Sequence, residues 1–425
     1  MSFALGFVPV ILLLLGFPIF LVLLTGVTVA LVFFMNVPLA ALHQNLFGSV
    51  SAYALLSVPY FIYAGELMGR GSVARRLVDF VQSSVGPLRG SIGITTVGTA
   101  TIFGAISGVS AAAVATIGKV MYPSMVKDGY PKPFSAGLVT AVGAIDIIIP
   151  PSIPMIVYGA AAQESVPRLY AAGIVPGILI AALLALYVMW RARRGNFGAG
   201  EPFDMKRFLN ATMRGVWALG APFIILGGIY GGVFSPTEAA AVACIYAILV
   251  TRFVFRELTW FDILDAAATT TRFTAQILIV VACAGVFSWL LTVNQVPFTL
   301  VNWLQGLGVG QLTFLLIINV LLLLVGCVLD PLSAILLLTP LLIPVVKALG
   351  IDTVHFGIVM TVNLAIGLFT PPFGINIFVA QSVLGVELKS IYRGILPFVL
   401  LYLIALALIT YVPAISLAGV WVLMN

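Results

Sequence analysis

Apolar residues fill long stretches of this chain, at roughly 3–34, 50–68, 91–118, 134–163, 169–190, 216–234, 236–254, 275–294, 297–310, 312–347, 355–382 and 394–420, and the charged positions fall mostly in the gaps. The period-two alternation of a membrane barrel is missing, so the stretches predict helices. About 20 residues of helix cross the hydrocarbon layer once. The 91–118 and 312–347 stretches are longer than that, and each has Gly, Ser or Pro in its middle. The 134–163 and 355–382 stretches each hold a Pro-Pro pair, Pro150-Pro151 and Pro371-Pro372. Proline removes N–H donors and leaves carbonyls one turn back without partners, so both pairs predict helices broken within the apolar layer.

The two Pro-Pro pairs are related by a constant offset of 221 residues, and so are their surroundings. Pro123 falls on Pro344, Gly129 on Gly350, Ile145 on Ile366, Gly173-Ile174 on Gly394-Ile395 and Pro176 on Pro397. An internal repeat with one interrupted apolar segment in each half is the sequence pattern of a secondary transporter with a central site.

Composition narrows the class. The 425 residues are 62% hydrophobic and 8% charged, too few charges to cover a water-soluble surface, so the chain is an integral membrane protein in a lipid bilayer. The first stretch has no basic leader and is too long for a signal-peptide core, which predicts one retained membrane helix. The net charge of +6 comes from loops flanking the membrane and implies no nucleic-acid partner. Cys244, Cys283 and Cys327 are scattered in apolar segments as packing residues, and His43 and His355 are placed at membrane edges with no metal spacing. No phosphate loop, hydrolase triad or zinc motif is present, so the chain reads as a non-enzyme without a cofactor.

Basic residues orient the segments. Arg70, Arg75, Arg76 and Arg89 precede the 91–118 stretch, and Lys119, Lys127 and Lys132 follow it. The positive-inside rule puts both flanks in the cytoplasm, so this stretch predicts a re-entrant hairpin with its tip near Gly104–Ser110. The count then places Arg191, Arg193, Arg194, Lys206, Arg207 and Arg214 inside, and Arg252, Arg256 and Arg272 in a later inner loop. The second hairpin, 312–347, enters from outside. The expected N-terminus is cytoplasmic and the C-terminus periplasmic. Four regions follow: scaffold helices at 1–68, a first inverted repeat at 69–190, a basic loop with linking helices at 191–274, and a second inverted repeat at 275–425.

Few residues in the apolar layer carry chemistry. Gly104, Ser107, Gly108 and Ser110 at the first tip let the backbone open, and their hydroxyls and freed carbonyls suit Na+. Asp146 costs on the order of 3 kcal/mol to insert, which marks it as a cation or proton site or as a carboxyl bonded inside the bundle. Its slot in the second repeat is held by Gly367. Thr370 is a polar handle beside the second break, while Asn363 and Asn376 either read a substrate or bridge helices. Asp330 before Pro331 suits a helix cap, as does Ser235 with Glu238, and Glu66 is spaced to pair with Arg70.

These motifs resemble the large membrane subunit of tripartite ATP-independent periplasmic (TRAP) transporters, the dicarboxylate-type M subunit. The resemblance runs through Pro59–Met68, Phe103–Gly108, Ile149–Gly159, Ser235–Ala240 and Thr370–Asn376, and so spans essentially the whole chain. It implies an all-α elevator-type importer in the bacterial inner membrane, in which hairpins and broken helices move against a scaffold. It implies a small four-helix membrane subunit and a periplasmic substrate-binding protein as partners. The implied cargo is an organic acid anion such as a C4-dicarboxylate or sialic acid, with Na+ as the coupling ion. One Na+ site is implied at Ser107, Ser110, Gly143 and Asp146, and a second at Gly326, Gly367, Thr370 and Phe373. Substrate is implied between the tips, near Gly108, Pro150, Pro151, Ser152, Pro371, Pro372 and Asn376. The family often has Gly where this chain has Asp146. A self-sufficient Na+-coupled symporter and, more remotely, a channel share parts of this pattern.

Overall fold

The computed structural model describes residues 7–35, 39–198, 200 and 202–424, and among these no strand occurs. The chain begins with α1 (Val8–Leu14) and α2 (Ile19–Phe34). The single helix expected over 3–34 is therefore interrupted, because Pro18 is extended and caps α2; residues 1–6 lie outside the described residues. Next come α3 (Leu39–Val50) and α4 (Ser57–Arg70), bent by 58° at their junction. The segment carrying Arg75 and Arg76 is not a loop but α5 (Val73–Val85), whose buried Val73, Ala74, Leu77, Val78 and Val81 form one apolar face.

The first repeat follows as α6 (Ser91–Ser107), α7 (Ser110–Lys127), α8 (Lys132–Val142), a tight 3₁₀ turn (Gly143–Ile147), α9 (Ile153–Ala162) and α10 (Val166–Gly195). Linking helices are α11 (Met205–Tyr230), α12 (Pro236–Ile248) with a π-helical extension to Val254, α13 (Trp260–Val293) and α14 (Val296–Gly306). The second repeat is α15 (Gln311–Gly326), α16 (Pro331–Ala348), α17 (Thr353–Gly367), α18 (Ile375–Leu384) and α19 (Leu388–Tyr411), and α20 (Pro413–Leu423) ends the chain. The offset of 221 carries both ends of α7 onto both ends of α16, and Lys132 at the start of α8 onto Thr353 at the start of α17. Both Pro-Pro peptide bonds are cis.

Six helices among the described residues are long and apolar enough to cross a membrane, and the bent pair before α5 is a seventh candidate. The chain is a multi-pass membrane protein. Three further sequence expectations change. Helix α13 begins at Trp260, not 275, because Thr259 and Asp262 form a capping box; Arg272 thus lies within a helix, and the boundary set at 274/275 falls inside it. The last apolar stretch is two helices, parted at Val412 before Pro413. His355 is not at an edge: it is buried, with its ring nitrogens 3.1 Å from Ser416 Oγ and 3.2 Å from the Thr410 carbonyl.

The repeats interlock. Helix α8 packs along α19, where the Tyr402 hydroxyl donates to the Ala141 carbonyl at 2.8 Å, and α9 packs against α17, where Tyr158 donates to the Thr353 carbonyl at 2.6 Å. The Tyr402 phenol thereby satisfies a carbonyl in the last turn of α8 that lipid would leave bare, and the Tyr158 phenol ties α9 to the first turn of α17. Local caps follow the sequence. Asp330 accepts from the Ser333 N–H at 3.0 Å and its hydroxyl at 2.5 Å, and Ser235 with Glu238 closes a capping box. Glu66 pairs with Arg70 at 2.8 Å, and Arg70 reaches on to Asp265 at 2.7 Å.

Candidate functional site

The hairpins α6–α7 and α15–α16 meet tip to tip across a cavity of about 300 Å³. Its wall includes the first turns of four helices, at Ser110–Ala111, Ile153–Pro154, Pro331–Ser333 and Ile375–Asn376. Two hairpins approaching one point from opposite ends is the arrangement that inverted repeats produce. Helix starts direct the positive end of the helix dipole into the cavity, although the first-turn N–H groups of Met155 and Ser333 are already capped by Ser152 and Asp330. Asp330 lines it, but its carboxylate is engaged by Ser333.

At the first tip, Gly108 ends α6 in the left-handed conformation, φ +62°, and a Cβ there would lie 2.8 Å from the Pro151 carbonyl oxygen. Only glycine fits both demands. The tip therefore rests directly on the first break. Ser110 Oγ donates to the Gly143 carbonyl at 2.7 Å and accepts from Asn376 Nδ2 at 2.8 Å. Behind it, a Cβ on Gly104 would lie 2.9 Å from Asp146 Cα and 3.0 Å from its Oδ1. Asp146 is fully buried. Its carboxylate faces the Ser107 hydroxyl and the Val109 N–H, yet neither oxygen closes a hydrogen bond among the described residues. A buried carboxylate in that state calls for a cation or a proton.

At the second site, Gly367 presses against Gly326 so closely that any Cβ would occupy the Gly326 carbonyl. Thr370 Oγ1 donates to the Ile366 carbonyl at 2.7 Å. Phe373 turns its ring outward, 61% exposed, so only its backbone belongs to the break. The residues named from sequence thus divide. Gly108, Ser110 and Asn376 line the cavity, and Ser107, Gly143 and Asp146 lie behind the first tip. Pro150, Pro151 and Ser152 are buried off the cavity wall, the Ser152 hydroxyl donating to the Ile147 carbonyl and accepting from Met155 N–H. Pro372 is exposed, and its carbonyl accepts from the Tyr392 hydroxyl at 3.1 Å.

A family model described as tripartite ATP-independent periplasmic transporter, DctM component, matches residues 7–415. The chain belongs to this TRAP transporter family. It is 42% identical over 383 residues to the isethionate TRAP transporter permease protein of Oleidesulfovibrio alaskensis, covering 90% of this chain and 60% of that protein. It therefore spans about three fifths of that relative's length. It is 40% identical to the C4-dicarboxylate TRAP transporter large permease protein of Pseudomonas aeruginosa, covering 89% and 88% of the two chains. To the 2,3-diketo-L-gulonate large permease protein of Escherichia coli it is 36% identical, covering 87% of each. The solved YdaH transporter of Alcanivorax borkumensis is similar in fold alone, with TM-score 0.64, 17% identity, and coverage of 90% and 88%.

The site of this TRAP family member has one wall that sequence reasoning missed. Phe273, Gln276, Ile277 and Val280 of α13 face the two tips across the cavity. Their spacing is one helical face; Gln276, Ile277 and Val280 lie within the apolar stretch expected at 275–294, and the Thr259-x-x-Asp262 capping box was the available signal that the helix starts early enough to add Phe273. The same helix, with Thr269, Thr270 and Phe273, lines a second cavity of about 200 Å³ that shares Val109 and Phe273 with the first and reaches Glu66.

Proposed function

We propose that this chain is the membrane-embedded large subunit of a Na+-driven TRAP importer for an organic acid anion, a C4-dicarboxylate, sialic acid or similar. The reading rests on one observation above all: a cavity bounded by both hairpin tips and the first turns of four helices, with a tip-to-break contact behind each tip. The acid names carried by the relatives support the cargo class. A small four-helix membrane subunit and a periplasmic binding protein complete the transporter in the bacterial inner membrane, with the N-terminus cytoplasmic and the C-terminus periplasmic.

In this reading Na+ binds at Ser107, Ser110, Gly143 and Asp146, and again at Gly326, Gly367, Thr370 and the Phe373 backbone. Substrate sits between the tips, touching Gly108 and Asn376, with the Pro150-Pro151-Ser152 and Pro371-Pro372 breaks fixing the helix starts around it. Both hairpins and broken helices then move as one unit past α13 in an elevator stroke. Two cations accompanying a monoanion carry one net charge inward, about 2.3 kcal/mol per 100 mV, which drives concentration without ATP; with a dicarboxylate dianion the same two Na+ move no net charge and the Na+ gradient alone is the drive.

The test is uptake into proteoliposomes holding this chain and its small subunit, under an inward Na+ gradient, with a panel of labelled organic acids. Accumulation that needs both Na+ and the binding protein is expected. Accumulation with Na+ alone would make the chain a self-sufficient symporter, and Na+-independent uptake would remove the coupling sites.

A further inference from the structure

Helices α5 and α11 enclose a cleft of about 740 Å³ at the basic end of the molecule, well away from the hairpin tips. From α5 and its N-cap come Ser72, Arg75, Arg76 and Asp79, spaced as one helical face; from α11 come Lys206, Arg207, Asn210 and Arg214, also one face. Part of this charge is already engaged. Glu257 closes the floor, accepting from Ser72 N–H at 2.7 Å and from Arg76 at 3.2 Å, and Arg76 also stacks over Phe255. Asp204 accepts from the Lys206 N–H at 2.9 Å. Arg75, Lys206 and Arg214 form no ion pair among the described residues, with Asp79 and Asp204 the carboxylates beside them; five basic residues thus face three acidic ones in the cleft lining. The cleft thus carries surplus positive charge in a shape that admits a ligand.

The flank of the cleft identifies the ligand's other half. Met205, Leu209, Met213 and Trp217 recur every four residues along α11, and all four are exposed. They form an apolar stripe on the face of α11 next to the basic residues and run alongside them, ending one turn beyond Arg214. A soluble anion has no use for that stripe, whereas acyl chains do.

We propose that the α5–α11 cleft binds the phosphate headgroup of an anionic phospholipid, with its acyl chains lying along the Met205–Trp217 stripe of α11. Arginine forks match phosphate oxygens in pairs, and basic pockets at membrane boundaries hold such headgroups. The inference rests on the chain being a membrane protein and not on the transport reading, since lipid binding is measured without substrate, Na+ or partner subunits.

The full-length chain in detergent is titrated with phosphatidylglycerol, and the rise in Tm gives an apparent affinity. Inorganic phosphate and glycerol phosphate are run as soluble competitors. The Arg75→Gln/Lys206→Gln/Arg214→Gln variant is expected to lose at least about tenfold in affinity, losing roughly a factor of a few per basic residue. An Arg191→Gln/Arg193→Gln/Arg194→Gln control, which removes equal charge outside the cleft, is expected to bind as the parent does. Equal losses in both variants, or none in the first, would overturn the proposal. Displacement of lipid by millimolar inorganic phosphate would overturn the lipid assignment in favour of a soluble anion. Should the triple variant fail to fold, Lys206→Gln alone at the exposed rim still decides: unchanged affinity counts against the site.

Discussion

Asn376 and Ser110, 266 residues apart, are joined in the interior by a 2.8 Å hydrogen bond from Nδ2 to Oγ. The bond ties the second broken helix to the first hairpin, so the second repeat completes the first repeat's tip. Ser110 passes the connection on to the Gly143 carbonyl, and Asn376 also reaches the Thr140 carbonyl at 3.4 Å. Any motion of one hairpin relative to the opposite break must open these bonds. Asn376→Ala is therefore expected to destabilise the protein by about 1–3 kcal/mol, the usual result of stranding buried polar groups. Thermal unfolding in detergent checks this, and an unchanged midpoint would mean the bridge carries no stability.

The Gly367–Gly326 contact leaves no room for a side chain. Gly367→Ala is expected to abolish uptake, with a stability loss of about 1–3 kcal/mol from overpacking. Thr370→Ala removes the hydroxyl and the small γ-methyl, and is expected to leave expression normal while raising the Na+ concentration needed for half-maximal uptake. Parent-like Na+ dependence in Thr370→Ala would count against the second cation site as assigned.

Asp146 is the one buried carboxylate of the first break, where the second repeat has Gly367. Asp146→Gly is expected to change the number of Na+ moved per substrate and to relieve an insertion cost of about 3 kcal/mol. Paired measurements of Na+ and substrate flux decide. An unaltered ratio with unaltered Na+ affinity would reduce Asp146 to packing against Gly104.

Glu257 lies between the π-helical extension of α12 and the start of α13. Its partial burial raises the carboxyl, but hydrogen bonds from Ser72 and Arg76 outweigh this and hold it below the ordinary glutamate value. A depressed folded-state value means the contribution to stability is present above the unfolded value and is lost as pH falls through the folded one. The parent is expected to lose more stability than Glu257→Gln as pH drops below the ordinary carboxylate range. Parallel melting curves for the two proteins would show no such convergence if the latch were inert.

The sequence by itself determined the membrane class, the two repeats, the hairpins and the broken helices. Those features rest on local chemistry: apolar run length, prolines that cannot donate, and glycines or acids at helix ends. Caps such as Asp330–Ser333 and the Glu66–Arg70 pair were legible for the same reason, since both partners lie within one helical turn. The Thr259–Asp262 box was equally local and went unread, and with it the early start of α13 that adds Phe273 to the cavity wall; that this helix faces the tips at all is a matter of tertiary packing. Only the tertiary structure decided which distant groups meet. That Asn376 bridges helices depends on Ser110 arriving from the other repeat, and the same packing puts Asn376 on the cavity wall. Where His355 goes depends on α19 and α20 folding over it. The close approach of Gly326 to Gly367 and the unpartnered state of Asp146 are likewise products of packing between segments. Hydrogen-bond partners across a helical bundle leave no periodic trace in a chain, because each helix records only which of its faces is apolar.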